Sequence, residues 1–207
     1  MNNIIKNCTG IILAGGENKR MPVLKAFIEV DGEKIIEKNL KIMRQLFKEI
    51  FIVTNQPELY LYLKTHLLGD VYDIRGPMTG IFTSLLNSSN NWVFISACDM
   101  PFINGELIKY MASKRDNYDA VVPMQKNKIE PLFAFYSKQL MPSMEKAIFS
   151  NKTGSKDFLR DKRVKYIFNR EIKGIDAKAM SFINLNTLKD VGRVQVNIKS
   201  RSINFIT

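Results

Sequence analysis

The stretch "IILAGGENKRM", residues 11–21, passes abruptly from hydrocarbon to two glycines and then to two cations. Residues 11–14 read as a buried strand, and Gly15 and Gly16 after it permit close backbone approach and expose N–H groups. Lys19 and Arg20 follow just beyond the strand end, with Lys25 shortly after. The Arg20 guanidinium is a bidentate fork and the Lys25 ammonium a point charge, so the series suits a polyphosphate. It is neither the dinucleotide fingerprint nor the Walker A loop, since G-x-G-x-x-G and G-x-x-x-x-G-K-[ST] are both absent. A glycine turn with surface cations would explain "GG" alone, but not the whole strand–GG–Arg–Met–Lys series.

Outward from this strand, apolar runs alternate with amphipathic stretches, the pattern of an α/β domain with a mostly parallel sheet. Strands are expected at 10–13, 50–54, 71–74, 92–97, 120–123 and 132–136, with later ones near 165–168 and 182–184. Between the first two, "GEKIIEKNLKIMRQLFKE" repeats Ile35, Ile36, Leu40, Met43 and Phe47 at helical spacing, which makes the opening a βαβ unit. Further helices are expected at 57–66, 80–87, 105–114, 143–149 and 155–160.

In open parallel sheets ligands bind beyond the carboxyl ends of the strands, so strand-end residues carry the chemistry. "WVFISACDMPF" ends a buried strand in Asp99, and Pro101 then blocks further ladder bonding. A carboxylate facing a triphosphate repels it unless a cation intervenes, and Mg²⁺ suits one or two carboxylates plus phosphate oxygens, so Asp99 is a metal-ligand candidate. In "DIRGPMTG", Gly76, Pro77 and Gly80 build a stiff turn suited to a flat base. Asp73 can accept from a guanine N–H edge or a ribose, and Asn55, after "FIVT", can contact base or sugar. His66, in the amphipathic "LYLKTHLL", reads as a helix residue rather than a catalytic base. Cys98 reads as an inert strand hydrophobe, and no Ser/His/Asp or Cys/His constellation is present.

The chain has 207 residues, 45% of them hydrophobic, enough for one sizeable core. No apolar run reaches the roughly 20 residues that span a bilayer, and the N-terminus lacks a signal peptide's apolar stretch. Cys8 and Cys98 read as reduced core residues, and the expected location is cytoplasmic, away from membranes. The net charge of +11 could attract nucleic acid, but the lysines are dispersed and no nucleic-acid motif accompanies them. A small anionic substrate would use the same field, and no nucleic-acid partner is expected.

Together these segments resemble the molybdenum cofactor guanylyltransferases, MobA-type enzymes of the nucleotidyltransferase fold. The family's L-A-G-G-x-x-x-R-M-G-x-x-K is matched by Leu13, Ala14, Gly15, Gly16, Arg20, Met21 and Lys25; Pro22 stands in place of the usual glycine and Leu24 in place of the common acid. G-P-[LM]-x-G recurs as Gly76, Pro77, Met78 and Gly80, C-D-x-P as Cys98, Asp99 and Pro101, and F-[IV]-N-[IVL]-N-T as "FINLNT", residues 182–187. The resemblance implies a three-layer nucleotidyltransferase fold with a Rossmann-like sheet over 1–207, about 1–100 binding GTP and about 101–207 molybdopterin. It implies transfer of GMP from GTP to molybdenum-molybdopterin, giving the guanine dinucleotide and pyrophosphate with Mg²⁺. By position, Leu13, Ala14, Gly15, Gly16, Lys25, Asn55, Asp73, Gly76, Pro77, Gly80 and Asp99 would bind GTP. Arg20, Lys25 and Asp99 would be catalytic, Asp99 would hold the metal, and Pro131, Asn184 and Asn186 would face molybdopterin. Transient contacts with other molybdenum cofactor biosynthesis proteins and with molybdoenzymes are implied as well.

Cytidylyltransferases typically open with L-A-A-G, so Gly16 favours guanine. The competing readings are a related enzyme making a cytidylyl molybdopterin or a nucleotide sugar, and a non-catalytic basic binding protein. The basic run "TGSKDFLRDKRVK", residues 153–165, is as well explained by a solvated helix face as by a pterin-side surface.

Overall fold

The computed structural model describes residues 4–15, 24–152, 154–185, 187, 190 and 192. In chain order the strands are β1 (Cys8–Leu13), β2 (Glu29–Val30), β3 (Glu33–Lys34), β4 (Glu49–Val53), β5 (His66–Leu68), β6 (Trp92–Ala97), β7 (Ala120–Gln125), β8 (Lys128–Ile129), β9 (Phe133–Ser137) and β10 (Val164–Phe168). The helices are α1 (Ile35–Leu46), α2 (Pro77–Asn87), α3 (Gly105–Ala112), α4 (Met141–Phe149), α5 (Ser155–Phe158) and α6 (Asn169–Ile175). The main sheet runs β10-β7-β9-β6-β1-β4-β5 with β8 on β7, while β2 and β3 pair separately. Its strand pairs are parallel except at β9, which lies antiparallel between β6 and β7, and at the short β8, which pairs antiparallel with β7.

Strand alternation divides the core into two layers. Ile12, Ile50, Ile52, Phe94, Phe133 and Phe135 face α1, α3 and α6, whereas Ile11, Phe51, Val53, Val93, Ile95 and Ala134 face α2, α4 and α5. This is the three-layer arrangement expected from the sequence. Phe47, at the end of α1, lies so close over β1 that a Cβ at Gly10 would stand 2.6 Å from its Cδ2, and its ring stacks on Phe94 at 5.8 Å. Gly10 is therefore a packing requirement.

Three expected elements are replaced. The segment 57–66 is not one helix but two 3₁₀ turns, Pro57–Leu59 and Leu61–Leu63, ended by Lys64 at φ 49°. Its buried anchors, Tyr60 and Leu63, are three residues apart, the 3₁₀ repeat, while Leu61 and Tyr62 are exposed. His66 thus opens β5, with its ring edge-on to Phe51 at 5.8 Å, and is not a helix residue. The third strand is β5 and not 71–74: after Leu68 the chain leaves the sheet, and Val71 N bonds the Thr83 hydroxyl on α2 at 3.1 Å. Residues 182–184 likewise form no strand; a 3₁₀ turn, Met180–Phe182, leads into an extended segment whose Leu185 N bonds Asp99 O at 3.0 Å.

Candidate active site

The carboxyl ends of β1, β4, β5, β6 and β7 form a row at one edge of the sheet. At its centre the ladder continues one step past each strand: Ala14 N bonds Val53 O at 2.8 Å, and Cys98 N bonds Leu13 O at 3.0 Å. Leu13, Ala14 and Asp99 are fixed side by side in this way. Gly15 is exposed, and a Cβ there would meet no described residue within 4 Å.

Lys25 comes to the same place from a short 3₁₀ turn, Lys25–Phe27. Its Nζ lies 3.1 Å from Asp99 Oδ2, with the two side chains 27% and 15% exposed. The chain after Asp99 is pinned by Asn39 of α1, which donates to Met100 O at 3.0 Å, and Leu185 N holds Asp99's own carbonyl. Of the three expected catalytic residues, Lys25 and Asp99 therefore meet. Arg20 lies outside the described residues, as do Gly16 and Asn186.

Toward β5, Asn55 makes a reciprocal pair with an acid, but that acid is Asp70. Asn55 Nδ2 donates to Asp70 Oδ2 at 3.0 Å, and Asp70 N donates to Asn55 Oδ1 at 3.1 Å. Asp73 is exposed and does not take part in this pair. Asp70 Oδ1 is buried without a hydrogen-bond partner among the described residues, and burial raises its carboxyl pKa against the lowering effect of the Asn55 amide. A Cβ at Gly80 would stand 3.2 Å from Leu13 Cδ2 and 3.7 Å from Asp70 Oδ1, so Leu13, Gly80 and Asp70 form one wall. Asp70 carries the signal that marks Asp99, an acid just past an apolar strand in "HLLGD". Misplacing the third strand hid it.

Gly76, at φ 149° a conformation that favours glycine, turns the chain into α2, and Pro77 occupies the first helical position. Thr79 Oγ1 ties this turn to Ile74 O at 2.6 Å. The first turn of α2 has no side-chain cap, leaving backbone N–H groups for an anion or a base.

On the other side of Asp99, Pro131 O accepts from Tyr136 Oη at 2.7 Å, and Asn184 Oδ1 is buried without a partner among the described residues. The basic run is largely self-neutralised: Arg163 forks onto Asp119 at 2.7 Å, Lys162 pairs with Asp161 at 3.0 Å and Arg160 with Asp157 at 3.1 Å. Burial, with the neighbouring Asp99 carboxylate, pushes the Cys98 thiol up to about 12, so it stays protonated and serves as no nucleophile. Among the described residues no three His, Cys, Asp or Glu side chains gather to hold a metal. What Asp99 offers instead is one partly buried carboxylate, its Oδ2 beside Lys25, of the kind Mg²⁺ takes when phosphate oxygens and waters complete its shell.

Residues 10–166 match the profile of the MobA-like NTP transferase domain. A molybdenum cofactor guanylyltransferase of Desulfosudis oleivorans is 34% identical over 197 residues, covering 94% of this chain and 98% of that protein. Among solved structures, molybdopterin-guanine dinucleotide biosynthesis protein A of Archaeoglobus fulgidus superposes with a TM-score of 0.80 at 23% identity, covering 93% of this chain and 99% of that one. A Mycobacterium tuberculosis protein crystallised in complex with manganese shares the fold, with a TM-score of 0.63, 12% identity, and 91% and 97% of the two chains covered. No helix among the described residues is long and apolar enough to cross a membrane.

Proposed function

Because this chain belongs to the MobA-like NTP transferase family, we propose that it transfers GMP from GTP to the terminal phosphate of molybdenum-loaded molybdopterin, releasing pyrophosphate. The observation that carries this reading is the Lys25–Asp99 pair, a cation and an acid side by side at the centre of the row of strand ends. The acceptor phosphate attacks the α-phosphorus in line, and it is ionised near neutral pH, so no side chain need act as a base. Lys25 meets the negative charge that grows on the departing pyrophosphate, and Arg20 of the same motif adds a second cation. Asp99 is the ligand for Mg²⁺, which when bound supplies Lewis-acid stabilisation of the phosphoryl oxygens.

The N-terminal half, about residues 1–100, holds GTP, with Leu13, Ala14, Gly15 and Gly16 under the phosphates and Asn55, Gly76, Pro77 and Gly80 around the base. Asp70 takes the role that the sequence offered to Asp73: its unpaired Oδ1 is an acceptor for a base N–H. The remainder, about 101–207, receives molybdopterin, with Pro131, Asn184 and Asn186 on that side. Soluble substrates suit the cytoplasm, where the product passes to a molybdoenzyme.

The test is incubation with molybdate-loaded molybdopterin, Mg²⁺ and GTP, CTP or ATP in parallel, scored for pyrophosphate and for the dinucleotide by mass. GTP-dependent dinucleotide is expected. Equal or better turnover with CTP would move the protein to the cytidylyltransferases, and metal-independent binding of RNA without turnover would make it a basic binding protein.

A further inference from the structure

The acceptor side of the crevice is built differently from the nucleotide side. Because β9 runs against β6 and β7, its first residues, not its last, arrive at the active edge: Ala97 N bonds Leu132 O at 2.9 Å and Glu130 N bonds Pro123 O at 3.0 Å. The β7–β8 hairpin before it turns through Lys126 and Asn127, whose φ values of 46° and 62° meet the requirement of a type I′ turn. In its register Gln125 faces Lys128 and Met124 faces Ile129, which sets Pro123 opposite Glu130. Gln125 and Glu130 are therefore diagonal neighbours on one face of the hairpin, within reach of a single planar ligand.

Both have hydrogen-bonding capacity left over. Gln125 Nε2 is buried with no partner among the described residues. The Glu130 carboxyl is half-buried at the same edge, and burial raises its pKa, against which the charges of Lys156 and Lys128 act. Leaving aside Glu33 Oε1, which pairs with Lys41, five buried side-chain polar atoms lack a hydrogen-bond partner among the described residues, and those of Asp70, Gln125 and Asn184 all belong to this edge. Buried polar groups are ordinarily paired, so unpaired ones gathered along one edge fit a site whose ligands supply the partners.

We propose that Gln125 and Glu130 read the hydrogen-bonding edge of the acceptor's pterin ring. That edge carries a ring N–H and an exocyclic amino group beside a carbonyl. A carboxylate accepts from the two donors, and an amide N–H donates to the carbonyl. The proposal rests on the guanylyl-transfer reading above. Guanine presents a similar edge, but the strand order separates the two sites: β7 is two strands from β6 on one side, and β5 is three strands away on the other. At about 4.8 Å per strand these are roughly 10 Å and 14 Å from the strand bearing Asp99. Two heterocycles can thus sit on either side with their phosphates meeting over Asp99.

The test uses the full chain, with 6-hydroxymethylpterin monophosphate binding followed by pterin fluorescence, GTP–Mg²⁺ binding by calorimetry, and steady-state transfer to molybdopterin. Glu130→Gln and Gln125→Leu, each checked by thermal melting, are expected to weaken the pterin phosphate and raise the molybdopterin KM about ten- to a hundredfold, with GTP affinity unchanged. If the wild type binds and reacts while both variants keep wild-type pterin affinity, or if GTP affinity falls in parallel, this assignment is overturned alone. A wild type that neither binds the pterin phosphate nor forms dinucleotide overturns the guanylyltransferase reading, and this inference with it.

Discussion

Lys25 and Asp99, 74 residues apart in sequence, meet at 3.1 Å where β1 and β6 end. The pairing gives each a defined position, so removing either has distinguishable consequences.

Asp99→Asn removes the charge that holds a divalent cation while keeping the side chain's shape. Mg²⁺-dependent guanylyl transfer is expected to fall at least about a hundredfold. Initial rates across a Mg²⁺ titration, with a melting curve to confirm folding, check this; near-wild-type turnover would remove Asp99 from the metal site.

Lys25→Met takes away a cation that acts most strongly once charge builds on pyrophosphate. The expected result is a kcat lower by about ten- to a thousandfold with a smaller rise in the KM for GTP. A raised KM with kcat unchanged would make Lys25 a ground-state binder only.

Asp70→Asn and Asp73→Asn separate two acids three positions apart. The first is expected to weaken GTP binding about tenfold or more while leaving thermal stability level or slightly higher, because it replaces a buried carboxylate whose Oδ1 has no hydrogen-bond partner among the described residues. The second is expected to leave GTP affinity unchanged, since Asp73 is exposed. Calorimetric titration of both variants decides which acid faces the base.

Hydrogen bonds and charge from the Arg163 guanidinium lower the pKa of Asp119 against the opposing effect of burial. An acid whose pKa is depressed by folding contributes stability above its unfolded value, near 3.9, and that contribution is lost as pH falls through the folded value. Urea unfolding between about pH 3 and 6 is expected to show a shallower acid-side loss for Asp119→Asn than for the wild type. Identical slopes would mean that this fork is unimportant to the pH dependence.

Gly10→Ala would put a methyl group against the buried Phe47 ring, which cannot retreat without disturbing Phe94. A loss of about 1–3 kcal/mol is expected, read from the urea midpoint at unchanged m-value.

Much of this arrangement is legible in the chain. β1 and β6 are dense apolar runs ended by Gly15 and Asp99, and the α1 anchors repeat at helical spacing, so the centre of the site follows from pattern alone. The flank does not. "PELYLYLKTHLL" packs Tyr60 and Leu63 in a 3₁₀ rhythm that a search for helices with 3.6 residues per turn mistakes for one long helix, and the error carries the third strand past Asp70. α6 escapes notice because Ile172 is its only fully buried anchor, while Glu171, which accepts from Phe168 N at 2.9 Å, reads as surface charge. The "DG" of the β2–β3 hairpin is a plain turn signal, with φ of 59° and 77° at Asp31 and Gly32, but its strands are too short to show alternation.

The reversed strand β9 has a consequence for how selectivity could be exchanged. The nucleotide wall is assembled from loops scattered between Leu13 and Gly80, so no single cut of the chain transfers it. Gln125, Glu130 and Pro131, by contrast, arrive on one continuous hairpin whose two ends, in β7 and β9, are anchored in the middle of the sheet. On the proposed reading, one short, contiguous cassette carries much of the acceptor contact, with Asn184 and Asn186 outside it, and replacing it with the corresponding segment of a relative that uses a different acceptor is expected to shift the second substrate while the enzyme keeps its nucleotide.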